Sequence, residues 1–568
     1  MEHKFPSIVI EKVFPCIEGE GFHVKCLAGD TFTVEADIFK DGHEPLQAAL
    51  LYRKKADTRW EQVPMRLMED DRWQGSFIPM DNARYLYTIE AWVHGQSRIR
   101  YRHLLELMAD RKEAGFGAWY EFFPRSQGRI PGQSATFRDC ILRLADIKKM
   151  GFDVVYLPPI HPIGSANRKG PGNQLTSAAE FPGSPWAIGN KEGGHKAIHP
   201  DLGGFEAFKE FREAAEALGL NIALDLAFQC SPDHPYVKKH PDWFFRRPDG
   251  TIHYAENPPK KYEDIYPLNF YSKDWEGLWE EMKSVVLFWI EQGVRIFRVD
   301  NPHTKPLYFW KWLIDEVQKD RPDIIFLSEA FTRPKVMKFL AKAGFTQSYT
   351  YFTWRNTKQE LQEYVNQLVG SDMKYYFRGN FFANTPDILT DYLQRGGIPA
   401  FKIRLVLAAT LSSLYGIYSG FELGENQAYG PSSEEYAGSE KFEIKVRDWD
   451  KPGHIKDYIA RLNAIRRENP ALQEYDNLEF YDTFGRQMLA YGKRTEDNAN
   501  MIVVVVNLDP FAVHEDTVKL PLWKFGLQEG QSYQMQDLLD GTVYSWSGIS
   551  NYVRLGPANP AHIFLVQR

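Results

Sequence analysis

Cysteine is scarce in this chain: Cys16, Cys26, Cys140 and Cys230 are the four in 568 residues, and they lie far apart. Such spacing excludes a disulfide scaffold and offers none of the close pairs of a zinc motif. Reduced thiols in the cytoplasm are the expectation, with no metal and no cofactor. Charge of one sign is also missing, since 68 basic and 75 acidic residues leave a net charge of −7 without a long Lys/Arg run. A nucleic-acid partner is therefore not expected. Nor is there an uninterrupted apolar stretch. The longest, Leu405 to Phe421, is broken by Thr410, Ser412, Ser413, Gly416 and Ser419, and reads as a buried helix and strand rather than a membrane span. Met1 to Phe5 has no apolar segment of signal-peptide type, so no export is expected.

What is present describes a globular enzyme-sized chain. Hydrophobic residues at 43% and charged residues at 25% are ordinary for packed domains, and the length is too great for one core, so two to four domains are expected. Aromatic residues reach 14%, with 15 Trp, a composition that suits stacking on sugar rings although most such rings fill cores.

Short alternating segments such as Thr31 to Ala36, Ala49 to Tyr52 and Tyr85 to Ile89 predict an immunoglobulin-like β-sandwich over residues 1–103. Arg102 to Ala118 reads as a linker. From there to about residue 470, apolar strands alternate with amphipathic helices. The eight strand candidates are Trp119 to Phe123, Val154 to Pro158, Ile222 to Phe228, Val294 to Val299, Ile324 to Ser328, Ser348 to Phe352, Phe381 to Ala383 and Leu414 to Ser419. Eight β-α units favour a closed (β/α)₈ TIM barrel. Between them, Phe137, Ile141, Leu144 and Ile147 share one helix face, as do Phe205, Phe208, Ala215 and Leu218. The connection after the third strand, about 230–273, exceeds the usual loop of about 2–6 residues and is expected to form a functional subdomain. Alternating strands return over 471–568 as a second sandwich.

In such barrels the active site gathers at the carboxyl ends of the strands. Asp300 ends the fourth, Glu329 ends the fifth and Asp387 follows the seventh. Each alone could be a helix N-cap. Together, with Arg298 two residues before Asp300, they suit glycosidic cleavage. One carboxyl protonates the leaving group and a second, about 5–5.5 Å away in a retaining enzyme, attacks the anomeric carbon. Arg298 would keep its neighbour ionised.

These residues carry a resemblance to the α-amylase superfamily, glycoside hydrolase family 13, in Leu224 to Leu226, Phe297 to Asp300, Glu329 and Asn384 to Asp387. The resemblance spans nearly the whole chain, and implies Asp300 as nucleophile, Glu329 as general acid/base and Asp387 as transition-state stabiliser. Phe228 and Gln229 replace the amylases' Asn-His, and Pro386 replaces their His, which disfavours an ordinary amylase. A narrower resemblance is to the maltosyltransferases that extend α-1,4-glucans from α-maltose 1-phosphate, in Arg298 to Pro306, Leu327 to Thr332, Ala255 to Phe270 and Asn384 to Leu389. It implies that Lys169, Gln229, Asp264, Asn301, Lys441 and position 442 hold the maltosyl donor, with Lys260 and Tyr262 on its phosphate. Lys260, Lys261 and Tyr262 are also physically suited to a dianion, although such a pair of lysines is often only a solvated loop.

Two departures stand out. Phe442 lacks the hydroxyl of the family's Tyr, a loss of about 0.5–1.5 kcal/mol if a neutral hydrogen bond went with it. The family's helical insertion between the first sandwich and the barrel, which helps build its homodimer, is absent, so a dimer does not follow from the resemblance. The competing readings are a hydrolase or trehalose-forming isomerase, which needs no phosphate site, and a non-catalytic glucan-binding protein, which would be expected to lack one of the three acids.

Overall fold

The computed structural model describes residues 7–17, 21–175, 181–258 and 260–567; Met1 to Phe5 lie outside the described residues. Eight parallel strands close a barrel in chain order: Gly117–Glu121, Val154–Leu157, Asn221–Leu226, Ile296–Asp300, Ile325–Glu329, Gln347–Tyr349, Gly379–Phe382 and Leu414–Tyr418. Each overlaps an expected strand. The third stops at Leu226 instead of reaching Phe228, and Gln229 and Cys230 instead begin a small sheet with Tyr266 and Pro267.

Strand register fixes what the barrel encloses. Trp119 pairs with Val154 and Gly416, Tyr156 with Ala223, Ala223 with Ile296, and Ile296 with Ile325. Alternate residues face opposite sides of a sheet, so this chain of partners shares one face. Those side chains, with Leu327, Tyr349 and Phe382, form the apolar floor inside the barrel. Gly416 belongs to that floor because a Cβ there would lie 2.5 Å from the Phe382 ring. Two residues further along the strands the same face turns polar, at Glu121, Asp225 and Arg298, and Asp300 and Glu329 follow at the rim. The site is thus built by continuing the core pattern upward.

Helices cover the outside. Phe137–Lys149 starts at a capping box between Thr136 and Asp139 and buries Phe137, Leu144 and Ile147, with Ile141 packed at the margin. The helix Gly204–Ala217 departs from expectation, burying Ala207, Phe208, Phe211 and Ala215. Phe205 and Leu218 are 41% and 37% exposed; Phe205 lies across Trp289 at the surface instead of entering the core. The run 405–421 resolves into the end of helix Asp391–Leu411 and the last barrel strand. Among the described residues no helix is long and apolar enough to cross a membrane.

At the amino end a four-stranded and a six-stranded sheet enclose their own core. Here the expected linker needs correction. Leu105–Asp110 is a strand of the six-stranded sheet, pairing with both Val24–Leu27 and Ala83–Val93, so the sandwich continues beyond residue 103. Its charge misled the pattern, for Asp110 is buried against Arg378 of the barrel at 2.5 Å. No helix longer than the single turn Lys112–Ala114 separates this sheet from the barrel. At the carboxyl end a six-stranded sheet and a two-stranded sheet enclose another core.

The first sandwich is docked by charge. Lys25 Nζ donates to the carbonyls of Ala341, Phe345 and Tyr376 at 2.8, 2.5 and 2.7 Å, one acceptor for each ammonium hydrogen. Arg378 pairs with Asp110 and also donates to the Cys26 carbonyl at 2.9 Å. Arg378→Leu leaves Asp110 buried without a partner and is expected to cost about 3–5 kcal/mol. Its melting temperature should fall clearly below that of the parent protein, and unchanged melting would mean that this pair does not hold the domains together.

Candidate active site

Arg298 is the centre of the barrel mouth. Its guanidinium reaches Asp225 at 2.7 Å, Asp300 at 2.9 Å and Glu329 at 3.3 Å, joining the third, fourth and fifth strands. A planar fork can serve several carboxylates at once, which a lysine cannot. Asp300 and Glu329 are register partners, so their side chains rise side by side. Asn301 follows with a left-handed backbone, φ 42°, and from there its N–H donates to Glu329 Oε2 at 3.2 Å and its Nδ2 to Asp300 Oδ2 at 3.4 Å. Lys305 donates to the carbonyls of Asp300 and Asn301 and pins this turn.

Burial sets the proton affinities. It raises Glu329 to about 8, with Arg298 opposing and the Asp300 charge reinforcing the rise. It raises Asp225 to about 7, again against Arg298. Asp387, whose side chain is 42% exposed at the mouth, behaves differently. Its surroundings push it upward, but the ion pair with Lys441 outweighs them and holds it below the usual carboxylate value. One carboxyl is therefore set up to carry a proton at neutral pH and another to stay ionised, the division acid/base chemistry needs.

The expected donor-binding residues arrive from separate loops. Lys169, 2% exposed, pairs with Glu263 at 2.5 Å and donates to the Lys261 carbonyl at 3.3 Å. Asp264 is also buried, neither of its carboxylate oxygens has a partner, and burial raises it to about 6. Two open acceptors in a buried cleft are what a sugar hydroxyl would satisfy. Gln229 donates to the Trp186 carbonyl at 3.3 Å, and Lys441 Nζ stands 5.9 Å from the Trp186 ring. Phe442 is 3% exposed, a covered ring with Lys441 at 5.6 Å. Lys260 and Tyr262 lie on the hairpin Ala255–Asn257/Lys260–Tyr262. Lys260 stays at the rim, paired with Glu435, while Tyr262 is within electrostatic reach of Lys441, Lys260 and Asp387.

Sequence reasoning missed Glu121. It ends the first strand facing inward, is 2% exposed, and its Oε2 has no partner. Burial raises it well above the ordinary value, Arg298 opposes, and Asp225, Asp387 and Glu329 add to the rise. The rule that found the other acids, that strand ends carry chemistry, also applies to it; the flanking aromatics of Tyr120 to Phe123 hid it in a core-like run.

Metal binding is a separate matter. Among the described residues, His195, Cys230 and His234 bring potential ligand atoms within 4.8 Å of one another. Their hydrogen bonds fill the space. His195 Nε2 must donate to the Ala227 carbonyl, so its Nδ1 accepts. His234 Nδ1 accepts from the Tyr236 N–H, so its Nε2 carries the proton and donates to His195 at 3.2 Å. Burial lowers the two imidazoles to about 4 and about 2, keeping both neutral. A hydrogen, not a lone pair, points from His234 into the group, which suits a tie between barrel and loop rather than coordination.

The fold is that of the amylase-type barrels. An alpha-amylase from Lactobacillus plantarum aligns with a TM-score of 0.61 at 20% identity over 80% of this chain and 100% of its own. A cyclomaltodextrinase aligns at 0.58 and 18% over 95% and 97%. The family is narrower. Residues 6–109 match the family model described as Alpha-1,4-glucan:maltose-1-phosphate maltosyltransferase, domain N/S, and residues 480–566 match GLGE, C-terminal. The protein named Alpha-1,4-glucan:maltose-1-phosphate maltosyltransferase from Myxococcus xanthus (strain DK1622) is 46% identical over 654 aligned positions, covering 100% of this chain and 98% of its own. The one so named from Pseudomonas aeruginosa is 43% identical over 99% and 97%. The chain belongs to this maltosyltransferase family. The 654 aligned positions exceed the 568 residues present, so the Myxococcus relative carries segments this chain lacks.

Glu121→Gln keeps a neutral group of the same shape and is expected to retain catalytic efficiency within about three-fold, less than 1 kcal/mol in the barrier. A loss of a hundred-fold in a folded variant would show that Glu121 works as an anion.

Proposed function

We propose that this enzyme moves a maltosyl unit from α-maltose 1-phosphate to the non-reducing end of an α-1,4-glucan, releasing phosphate with retention of configuration. One observation carries the reading: Lys441 pairs with Asp387, and Lys260 and Tyr262 lie within electrostatic reach of it, at the mouth that holds Asp300 and Glu329. A hydrolase or isomerase acting on neutral sugars has no use for such a cluster, and a binding protein has no use for the acids.

In the first step Asp300 attacks C1 of the donor. The bond from C1 to the phosphate oxygen breaks, its electron pair leaves with phosphate, and Glu329 supplies a proton, giving a β-linked maltosyl-Asp300 ester. In the second step Glu329, now ionised, takes the proton of the acceptor 4-hydroxyl as that oxygen attacks C1 and frees Asp300. Two inversions give net retention, and the proton lent by Glu329 returns to it. Arg298 pairs with Asp300 at 2.9 Å and holds it in place, and Asp387 stabilises the transition state. Lys169, Gln229, Asp264, Asn301 and Lys441 hold the maltosyl hydroxyls beside the covered face of Phe442, while Lys260 and Tyr262 bind phosphate. A phosphorylated donor, unable to cross a bilayer unaided, supports a cytoplasmic location.

Phosphate release from α-maltose 1-phosphate should depend on a maltooligosaccharide acceptor, with products growing by two glucosyl units. Growth without phosphate release would favour the hydrolase or isomerase reading. Asp300→Ala should lower turnover by at least about a thousand-fold without loss of fold; retained activity would remove the mechanism. The proton on Glu329 is lost as pH rises through about 8, so catalytic efficiency toward the donor should decline on that limb. A profile flat to pH 10 would contradict Glu329 as the acid.

A further inference from the structure

The rim of the site carries an anion of its own. The Lys260 ammonium pairs with the carboxylate of Glu435, a residue of the segment after the last barrel strand. The Glu435 side chain is 16% exposed against 48% for Lys260, so the carboxylate is the more firmly enclosed partner.

Its loop is also held in place. The Glu435 N–H donates to Ser433 Oγ at 3.1 Å, and its carbonyl accepts from Tyr429 N at 2.7 Å. On one side Glu434 accepts from the Trp354 indole at 2.9 Å and its carbonyl from Leu389 N at 2.6 Å. On the other, the Tyr436 hydroxyl accepts from Asn384 at 2.8 Å. Leu389 and Asn384 flank Asp387, so the carboxylate is fixed to the segment that carries the third acid. Its charge acts on Lys441 and Tyr262 as well as Lys260.

With Asp387 paired to Lys441 and Glu435 paired to Lys260, the cationic cluster is neutral before any donor arrives. A phosphate must compete for Lys260 with a carboxylate that cannot diffuse away. Retention adds a reason for such competition. The acceptor oxygen approaches C1 from the face that phosphate has just left, so phosphate must depart before transfer can occur.

We infer that Glu435 is a resident counter-ion of the phosphate site, which reclaims Lys260 after the first step, weakens the hold on phosphate and clears the space for the acceptor. This rests on the transferase reading above and adds a determinant of phosphate affinity to it.

Inorganic phosphate is the probe, measured by calorimetry and as an inhibitor of the acceptor-dependent reaction, on the full chain. Glu435→Gln removes the charge and keeps the shape. It should bind phosphate about ten-fold more tightly, or about 1.4 kcal/mol, with a lower KM for the donor and a lower kcat as phosphate release slows. Adding Lys260→Met to Glu435→Gln should abolish the gain. A merely structural role for Glu435 would weaken binding when removed, not strengthen it. If Glu435→Gln fails to fold, Glu435→Asp, which draws the charge back, should shift phosphate affinity in the same direction by less. Phosphate binding by a folded variant that is no tighter than in the parent protein overturns the inference, while the transferase reading stands if the parent still releases phosphate. A parent protein that neither binds nor releases phosphate overturns both.

Discussion

One guanidinium bears the load of the barrel mouth. Asp225, Asp300 and Glu329 converge from three adjacent strands, and three carboxylates so enclosed would repel one another or take up protons. Arg298 lies on the same inward face, two residues below Asp300, and answers all three. It does not make them alike. Glu329 still rises to about 8, which sets it up to carry a proton beside the Asp300 carboxyl that Arg298 also pairs. Burying such a group is seldom a gain in stability; here its return lies in holding three carboxyls together at one mouth.

The rest of the chain can be read as support for that placement. Parity around the barrel puts Trp119, Tyr156, Tyr349 and Phe382 directly under the charged layer, giving it a rigid and dry base. The long connection after the third strand carries Lys260 at the rim with Tyr262 and the buried Asp264 close behind it in sequence, and the neutral histidine pair ties its start to Ala227 at the end of the third strand. Lys25 and Asp110 dock the first sandwich against the side of the barrel, through Ala341, Phe345, Tyr376 and Arg378.

Much of this was visible in the residues themselves. The barrel strands are short apolar runs buried on both faces, a signal strong enough to find each of them, and acids at their ends mark the mouth. What escaped depends on partners far away in sequence. Leu105 to Asp110 looked like a charged linker because Arg378, which neutralises Asp110, is 268 residues away. Phe205 looked like core because helix spacing cannot tell a buried ring from one lying across Trp289. Glu121 was hidden among aromatics, and nothing local links Glu435 to Lys260, 175 residues away. Local patterns specify elements and faces; which charge meets which is decided by topology.

The covalent intermediate proposed on Asp300 is the centre of the account, and it can be tested by trapping. Phosphate is a better leaving group than a sugar hydroxyl and can depart slowly without the Glu329 proton, whereas the acceptor cannot attack without a base. Glu329→Gln mixed with α-maltose 1-phosphate should therefore glycosylate and then stall. Intact-protein and peptide mass spectrometry should show one added maltosyl unit on Asp300, lost when Asp300→Asn is combined with it. Phosphate release without an adduct, or an adduct on another residue, would contradict the mechanism.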